Sequence, residues 1–497
     1  MFFKIKLIPK SDDLKIKDGS AIIKFLIDEE KLEKNFDSFF SLFNEPVTRK
    51  QKLIFLKKEE TELIKYSNSS NEYIFCVKKV KINEEFSVDF FRNYFAGLVQ
   101  SLHKKEIENI HIIVPAFISF DKYFVTPEYF IQSMGEGVLL GNYNFDEYKT
   151  DKKSASLLNI HFHYSNQKEL KVGLNSAEKI IDAVFFSRNL TNEPAATLTP
   201  DEFAKRTKNT LIKDGVKVTV WNKKELQKRK MKAILAVGLA SKNEPKMIIL
   251  NYKPKGKAVK KVALVGKGVC YDSGGLSIKP TAGMLEMKAD MAGGALVVGV
   301  VKAAALLQLP IEIIGIIPAV ENMINGNSYK PGDVIGSASG KTIEVKDTDA
   351  EGRIILADAL HYASQQKPDE IIDFATLTGA IAVALGLFTA GLFTKNDALA
   401  DKLISSSKIT HEKIWRMPFD DEFKTQLKSD IADVSNLGTR WGGAITAGKF
   451  LEYFVEPKIP WAHLDIAGPA LKHDFTNYTK NWDTGFGVRL MISYLMQ

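Results

Sequence analysis

The chain predicts an α/β protein of two domains: a smaller N-terminal α/β domain, and a larger C-terminal domain with a central, mostly parallel sheet flanked by helices. Three observations predict it. At 497 residues the chain is too long for one ordinary core. Beyond residue 200, buried-looking strands alternate with helical stretches. The pattern also shifts, since residues 1–170 are rich in Lys, Phe, Ile and Asn and carry no catalytic cluster.

The opening "MFFKIKLIPKSDD" alternates apolar and basic residues without an apolar core or a small-residue cleavage site, so it reads as a first strand and not as a secretion signal. "EYIFCVKKVKI" (72–82) and "IHIIVPAFISF" (110–120) read as further strands between helical pieces. "HFH" (161–163) puts two histidines on one strand face, but no acid or cysteine stands at ligand spacing, so they read as ordinary residues. A linking helix follows, with Asn175 as its cap, Glu178 three residues on and an apolar stripe of Ile180, Ile181, Val184 and Phe185. "NEPAATLTP" (192–200) stops it. The expected division is 1–170, a linking helix and turn over 171–194, and 195–497.

In the second part "KVALVG" (261–266), "IEIIGIIPAV" (311–320), "EIIDFAT" (370–376) and "WAHLDIAG" (461–468) read as central strands. Ala295–Leu307 and Ile354–Ala363 read as helices. In such sheets ligands gather beyond the carboxyl ends of strands, and each chemically loaded stretch here follows one. "FATLTGAIAVALGLFTAGLFT" (374–394) carries no charge, but glycines and threonines interrupt it, so a strand end plus a buried helix is expected and not a membrane span. Two cysteines, Cys76 and Cys270, far apart, point to reduced thiols. The net charge of +8 comes from scattered lysines, which describes a solvated surface better than a nucleic-acid groove.

The chemistry concentrates in three segments. "VGKGVCYDSGGLSIKP" (265–280) offers Lys267, Asp272 and Lys279 among glycines that let the backbone turn sharply. "MKADMAGGA" (287–295) offers Asp290 at a helix entrance, where it could equally be a charge favoured by the helix dipole. "EVKDTDAEGR" (344–353) places Asp347, Asp349, Glu351 and Arg353 at alternate positions, which in an extended chain point one way. If folding joins Asp272, Asp290, Asp349 and Glu351, the four carboxylates repel one another unless cations sit among them. Oxygen-rich clusters suit hard or borderline divalent ions, and ions roughly 3.5–4 Å apart sharing carboxylates form a hydrolytic arrangement. "GSASGKT" (336–342) imitates a phosphate loop, but its glycines enclose three residues where that loop needs four; the preceding "KPGDVI" suggests a hairpin.

The set "VGKGVCYDSGG…IKP", "MKADM", "DTDAEGR", "FATLTGA", "RWGGAITAGKFL" and "WAHLDIAGPA", with "NEPAATLTP" and "AILAVGLASKNEP", resembles the leucyl aminopeptidase (cytosol aminopeptidase) family over roughly 190–497. The resemblance implies a cytoplasmic metallo-aminopeptidase that removes Leu-like residues from peptides with a free N-terminus, using two divalent ions per subunit (Zn or Mn, with Mg or Co in the exchangeable site). It implies that Lys267, Asp272, Asp290 and Glu351 hold the tighter ion and that Asp272, Asp349 and Glu351 hold the exchangeable one. Lys267 would ligate as a neutral amine, its pKa depressed by the ions. Lys279 and Arg353 would be catalytic, Arg353 by holding a bicarbonate. Met287, Thr376, Gly379 and Ala467 would form the hole for the N-terminal side chain. A homohexamer, a dimer of trimers, is also implied, with no membrane partner. Some bacterial relatives in the family bind DNA, and a regulator retaining the fold is the alternative reading. Two departures stand out: Asp347 where the family usually has Asn, and the glycines of "DMAGGAL", which are expected to loosen that helix start.

Overall fold

A computed structural model describes residues 3–11, 16, 19–27, 63–67, 72–83, 86–102, 107–151 and 155–497. The chain forms two compact units, Met1–Ile181 and Asp182–Gln497.

The first unit carries a six-stranded sheet in the order Phe3–Lys10, Ser156–His163, Asn109–Ile113, Ala21–Ile27, Glu72–Val80 and Leu63–Ser67. All neighbours run parallel except the last pair. Its core is rich in rings: Phe91 meets Phe25, Phe120 and Phe130 edge-on at 5.2 Å, the arrangement that ring quadrupoles favour. The histidines of "HFH" lie in the Ser156–His163 strand. His163 Nε2 pairs with His111 Nδ1 at 2.9 Å, and its own Nδ1 meets the Ser11 carbonyl.

The expected cap at Asn175 is incorrect. The helix runs Gln167–Asn192, and the Asn166 side chain accepts the amides of Lys168 and Glu169 at its start. Leu170 and Leu174, both buried, extend the apolar stripe back by two turns and override the local capping signal at Asn175.

The second unit is built on a nine-stranded sheet. Its main path runs Lys413–Arg416, Thr389–Phe393, Trp461–Asp465, Glu370–Ala375, Lys261–Gly266, Glu312–Asn322, Lys246–Tyr252 and Lys217–Trp221. Gly268–Asp272 pairs off this path with Glu312–Asn322. The central pairs are parallel, and the flanking strands Lys217–Trp221 and Lys246–Tyr252 join antiparallel. The core strands are almost wholly buried, as a sheet covered on both faces requires. Helices Ala292–Leu307 and Glu351–Gln365 pack on it. The stretch Thr281–Leu307 is long and apolar enough to cross a membrane, but 83% of its apolar 18-residue window is buried within the protein, as in a core helix.

The 374–394 stretch differs from the expectation. It contains the end of one strand, the short helix Gly379–Leu385 and a second strand, Thr389–Phe393. Within that helix only Ile381 is buried, and Val383 is 89% exposed. Glycines at 379 and 386 leave room for only seven helical residues, too few to bury a full face. "KPGDVI…GKT" is a hairpin, with Val334–Gly336 antiparallel to Thr342–Glu344. Both cysteines are buried, and Cys76 Sγ meets the Tyr94 hydroxyl at 3.1 Å.

Candidate metal centre

Strand Lys261–Gly266 ends in the middle of the sheet, and Lys267 is the first residue beyond it. Its amide donates to the Phe374 carbonyl of the neighbouring strand, and its carbonyl accepts from Gly294 at the start of helix Ala292–Leu307. Three backbones therefore meet here. A Cβ on Gly293 would lie 2.1 Å from the Phe374 carbonyl oxygen, so only glycine fits. The glycines of "DMAGGAL" thus tighten this junction, against the expectation that they loosen it. The Lys267 side chain then runs past Gly352, where a Cβ would stand 2.4 Å from its Cε.

Its amine arrives among acids. Lys267 Nζ lies 2.7 Å from Asp290 Oδ2 and 2.9 Å from Glu351 Oε1, and donates to the Thr376 carbonyl at 3.0 Å. Lys279 is the second amine, 2.9 Å from Asp272 Oδ2 and 2.5 Å from Asp349 Oδ1. Asp272, at the end of its strand, also accepts from Asn322 and from the Gly274 amide. Asp290 sits between a single 3₁₀ turn and helix Ala292–Leu307, and accepts from the Thr376 hydroxyl. It does not cap that helix, whose N-terminal position is Met291. One carboxylate oxygen from each of Asp272, Asp290 and Glu351 falls within 4.8 Å of the others; among the described residues this is the one His, Cys, Asp or Glu group spaced to hold a metal.

The charges do not balance. Two lysines face four carboxylates, and Glu351 Oε2, fully buried, has no hydrogen-bond partner among the described residues. Burial raises the Glu351 carboxyl, Asp272 raises it further, and Lys267 only partly offsets this. Burial likewise raises Asp290 and Asp349. For Lys267, burial disfavours the charge, but Asp290, Glu351 and Asp272 outweigh it and hold the ammonium firmly. This direction is opposite to the one implied by a neutral ligating amine; a divalent ion among the acids would reverse it and free the amine to ligate. An excess of buried carboxylates with an orphaned oxygen fits divalent ions, and the oxygen-rich donor set with one amine suits hard or borderline ones.

The alternation in "EVKDTDAEGR" is not that of a strand. The strand ends at Glu344, 345–350 form a loop, and Glu351 is the first residue of helix Glu351–Gln365. The loop is clamped from several sides. Asn436 binds the Lys346 amide and the Asp347 carbonyl, while Asn322 and Tyr329 both donate to the Thr348 carbonyl. Asp347 Oδ1 accepts the Asp349 amide at 2.8 Å and so fixes the turn that presents Asp349. An Asn side chain could make the same bond, so the departure at 347 keeps the turn and adds a charge to the cavity wall. Among the described residues no lysine pairs with it.

Arg353 is 5% exposed and donates to the Asn436 carbonyl at 2.9 Å; among the described residues its Nε, buried, has no partner. Burial lowers its pKa to about 10. A buried guanidinium with spare donors and no carboxylate partner suits a small planar anion.

Lys267, Asp272, Lys279, Met287, Asp290, Asp349, Glu351, Arg353, Thr376, Gly379 and Ala467 all line one cavity of about 510 Å³. Three contributors carried no signal in the sequence. Asn322 orients Asp272, and Asn436 ties the acid loop to Arg353. Asp465, fully buried, accepts from the Leu377 and Ala467 amides and the Thr378 hydroxyl, so it sets two walls of the cavity at once.

Comparison with known proteins agrees with this geometry. Residues 185–492 match the cytosol aminopeptidase family catalytic domain, and residues 82–152 match that family's N-terminal domain. The chain belongs to the cytosol aminopeptidase family. It is 41% identical over 450 residues to a probable cytosol aminopeptidase of Aquifex aeolicus (strain VF5), covering 89% of this chain and 88% of that one. A probable cytosol aminopeptidase of Clostridium tetani (strain Massachusetts / E88) is 40% identical over 480 residues, covering 96% and 97%. Among solved structures, the bottromycin maturation enzyme BotP in complex with Mn superposes with a TM-score of 0.81 at 30% identity, covering 96% of this chain and 98% of that one.

Proposed function

We propose that the protein is a two-metal aminopeptidase that removes Leu-like residues from the free N-termini of peptides. The observation that carries this reading is the under-compensated acid cluster: four carboxylates, two lysines and an orphaned Glu351 oxygen on the wall of a cavity large enough for a short peptide. Lys267, Asp272, Asp290 and Glu351 would hold the tighter ion, and Asp272, Asp349 and Glu351, with the Asp349 carbonyl, the exchangeable one. When bound, the ions supply Lewis acidity toward the scissile carbonyl and an acidified water for attack on it.

The chain's own residues do the rest. Met287, Thr376, Gly379 and Ala467 form a mostly apolar recess for the N-terminal side chain; a Cβ on Gly379 would meet nothing within 4 Å, so the recess is open there. Lys279 donates to the carbonyl oxygen as it gains negative charge on attack by water, and the C–N bond breaks as that oxyanion collapses. Each carboxylate of the cluster has a ligand's role, so none is left as general base; Arg353 seats a bicarbonate for that purpose, and the proton leaves with the departing amine. Relatives named for the same activity and the manganese in the BotP structure support the reading.

Steady-state hydrolysis of leucinamide by metal-replete protein tests it. Asp349→Ala should abolish turnover, and retained activity overturns the assignment. Lys279→Ala should lower kcat roughly 100-fold with near-normal metal content; loss of both metals would show that Lys279 belongs to the ligand scaffold.

A further inference from the structure

We infer that Arg440 is a specificity-determining residue on the leaving-group side of the cavity, where it binds the terminal carboxylate of a di- or tripeptide. The inference rests on the aminopeptidase reading above and names its substrate class.

The cavity has two walls. One is formed by Met287, Thr376, Gly379 and Ala467, the recess for the N-terminal side chain. The other is the acid loop and the segment packed against it, which carries Arg440. With the N-terminal residue in the recess and the scissile bond over the acids, the remaining peptide points along this second wall.

Arg440 is exposed and, among the described residues, makes no hydrogen bond or ion pair. Its contact is with the face of Trp441, 5.6 Å from guanidinium carbon to ring centre. A cation–π contact at this range engages the charge without using the guanidinium N–H groups, which stay open to a carboxylate. Glu286, an acid of the lining, faces Lys472 at 3.8 Å and not Arg440. Among the described residues Arg440 is thus a lining cation without a carboxylate partner.

The segment is also built to hold it in place. Gln426 accepts both the amide and the hydroxyl of Thr439, at 3.1 and 2.6 Å, and Asn436 is fixed to the acid loop. Gly442 adopts φ +67°, which closes the turn before helix Gly443–Glu452. A volume of about 510 Å³ takes two or three residues, so a free chain end would fall inside the cavity, close to this wall. An anionic end finds a cation there, whereas an amidated end or a longer chain does not.

The test compares metal-replete wild type with Arg440→Gln and Arg440→Lys on leucylglycine, leucylglycinamide and leucinamide. Wild type should prefer leucylglycine to its amide. Arg440→Gln should lose about tenfold in kcat/KM on leucylglycine, mostly through KM, and stay within twofold on the two amides. Arg440→Lys should recover part of the loss. Equal losses on leucylglycine and its amide, or no loss on either, overturn the inference. Retained leucinamide hydrolysis shows the variants are folded and active. No leucinamide hydrolysis by wild type overturns the aminopeptidase reading, and this inference with it.

Discussion

Two clusters of buried and half-buried charge in the C-terminal unit solve opposite problems. At the cavity, four carboxylates face two lysines, and acid is in excess. Behind helix Gly443–Glu452, three lysines (395, 424 and 449) face Asp421 and Glu452, and each lysine touches both acids. There Lys449, fully buried, also sits 3.7 Å above the Phe419 ring. The second cluster closes on itself and holds the structure together. The first is left incomplete within the chain, and its incompleteness is what gives it chemistry. Composition alone does not separate the two, because both contain the same residue types. The sign of the excess does.

The largest effects should come from altering that excess. Glu351→Gln should lower leucinamide hydrolysis by about a thousandfold or more, yet raise the urea midpoint of chelator-treated protein, because it removes one of the repelling acids. A lower midpoint would show that the acids are balanced by something other than ions. Lys449→Ala should do the reverse: activity per folded molecule near normal, stability down by about 3 kcal/mol, since two carboxylates lose a buried cation. Unchanged urea unfolding would break the comparison.

The smallest effect is in pH. Hydrogen bonds from Lys395, Lys449 and Lys424 hold Asp421 well below the usual carboxylate range. Burial opposes a low value for Glu452, but Lys424 and Lys395 bring it below normal as well. Their folded values are depressed, so the stability they contribute is present above the unfolded value of about 4 and is lost as pH falls through the folded ones. Urea midpoints should therefore drop between pH 5 and pH 3, and drop less in the double variant Asp421→Asn, Glu452→Gln. Asp421 is 62% exposed, so salt should shrink the difference. Equal drops in both proteins would assign the acid sensitivity elsewhere.

Spacing offered the acids and lysines of the centre as candidates, because they sit in short segments directly after strands where glycines mark tight backbone, while the role of each came from the family resemblance. The central strands were legible for a related reason: unbroken apolar runs have few other uses. What was not legible depends on contacts across long stretches of chain. Asn322 reaches an acid 50 residues away and Asn436 a loop 89 residues away. Asp465 fixes an amide 88 residues distant. A lone Asn or Asp in a strand end carries no local mark of such a partner. The alternation argument for 347–353 reached convergence of Asp349 and Glu351 through the wrong backbone, since a loop turning into a helix can aim side chains together just as a strand does. Asn175 failed because a capping signal within an apolar stripe is weaker than the stripe.

Gly352 has a consequence for assembly. Lys267 and Gly352 come from a strand end and a helix start 85 residues apart, and the lysine's carbon chain occupies the space that a methyl group on residue 352 would fill. A methyl at 352 would push the amine off Asp290 and Glu351, so the helix can seat over the lysine in its place only while this residue stays glycine.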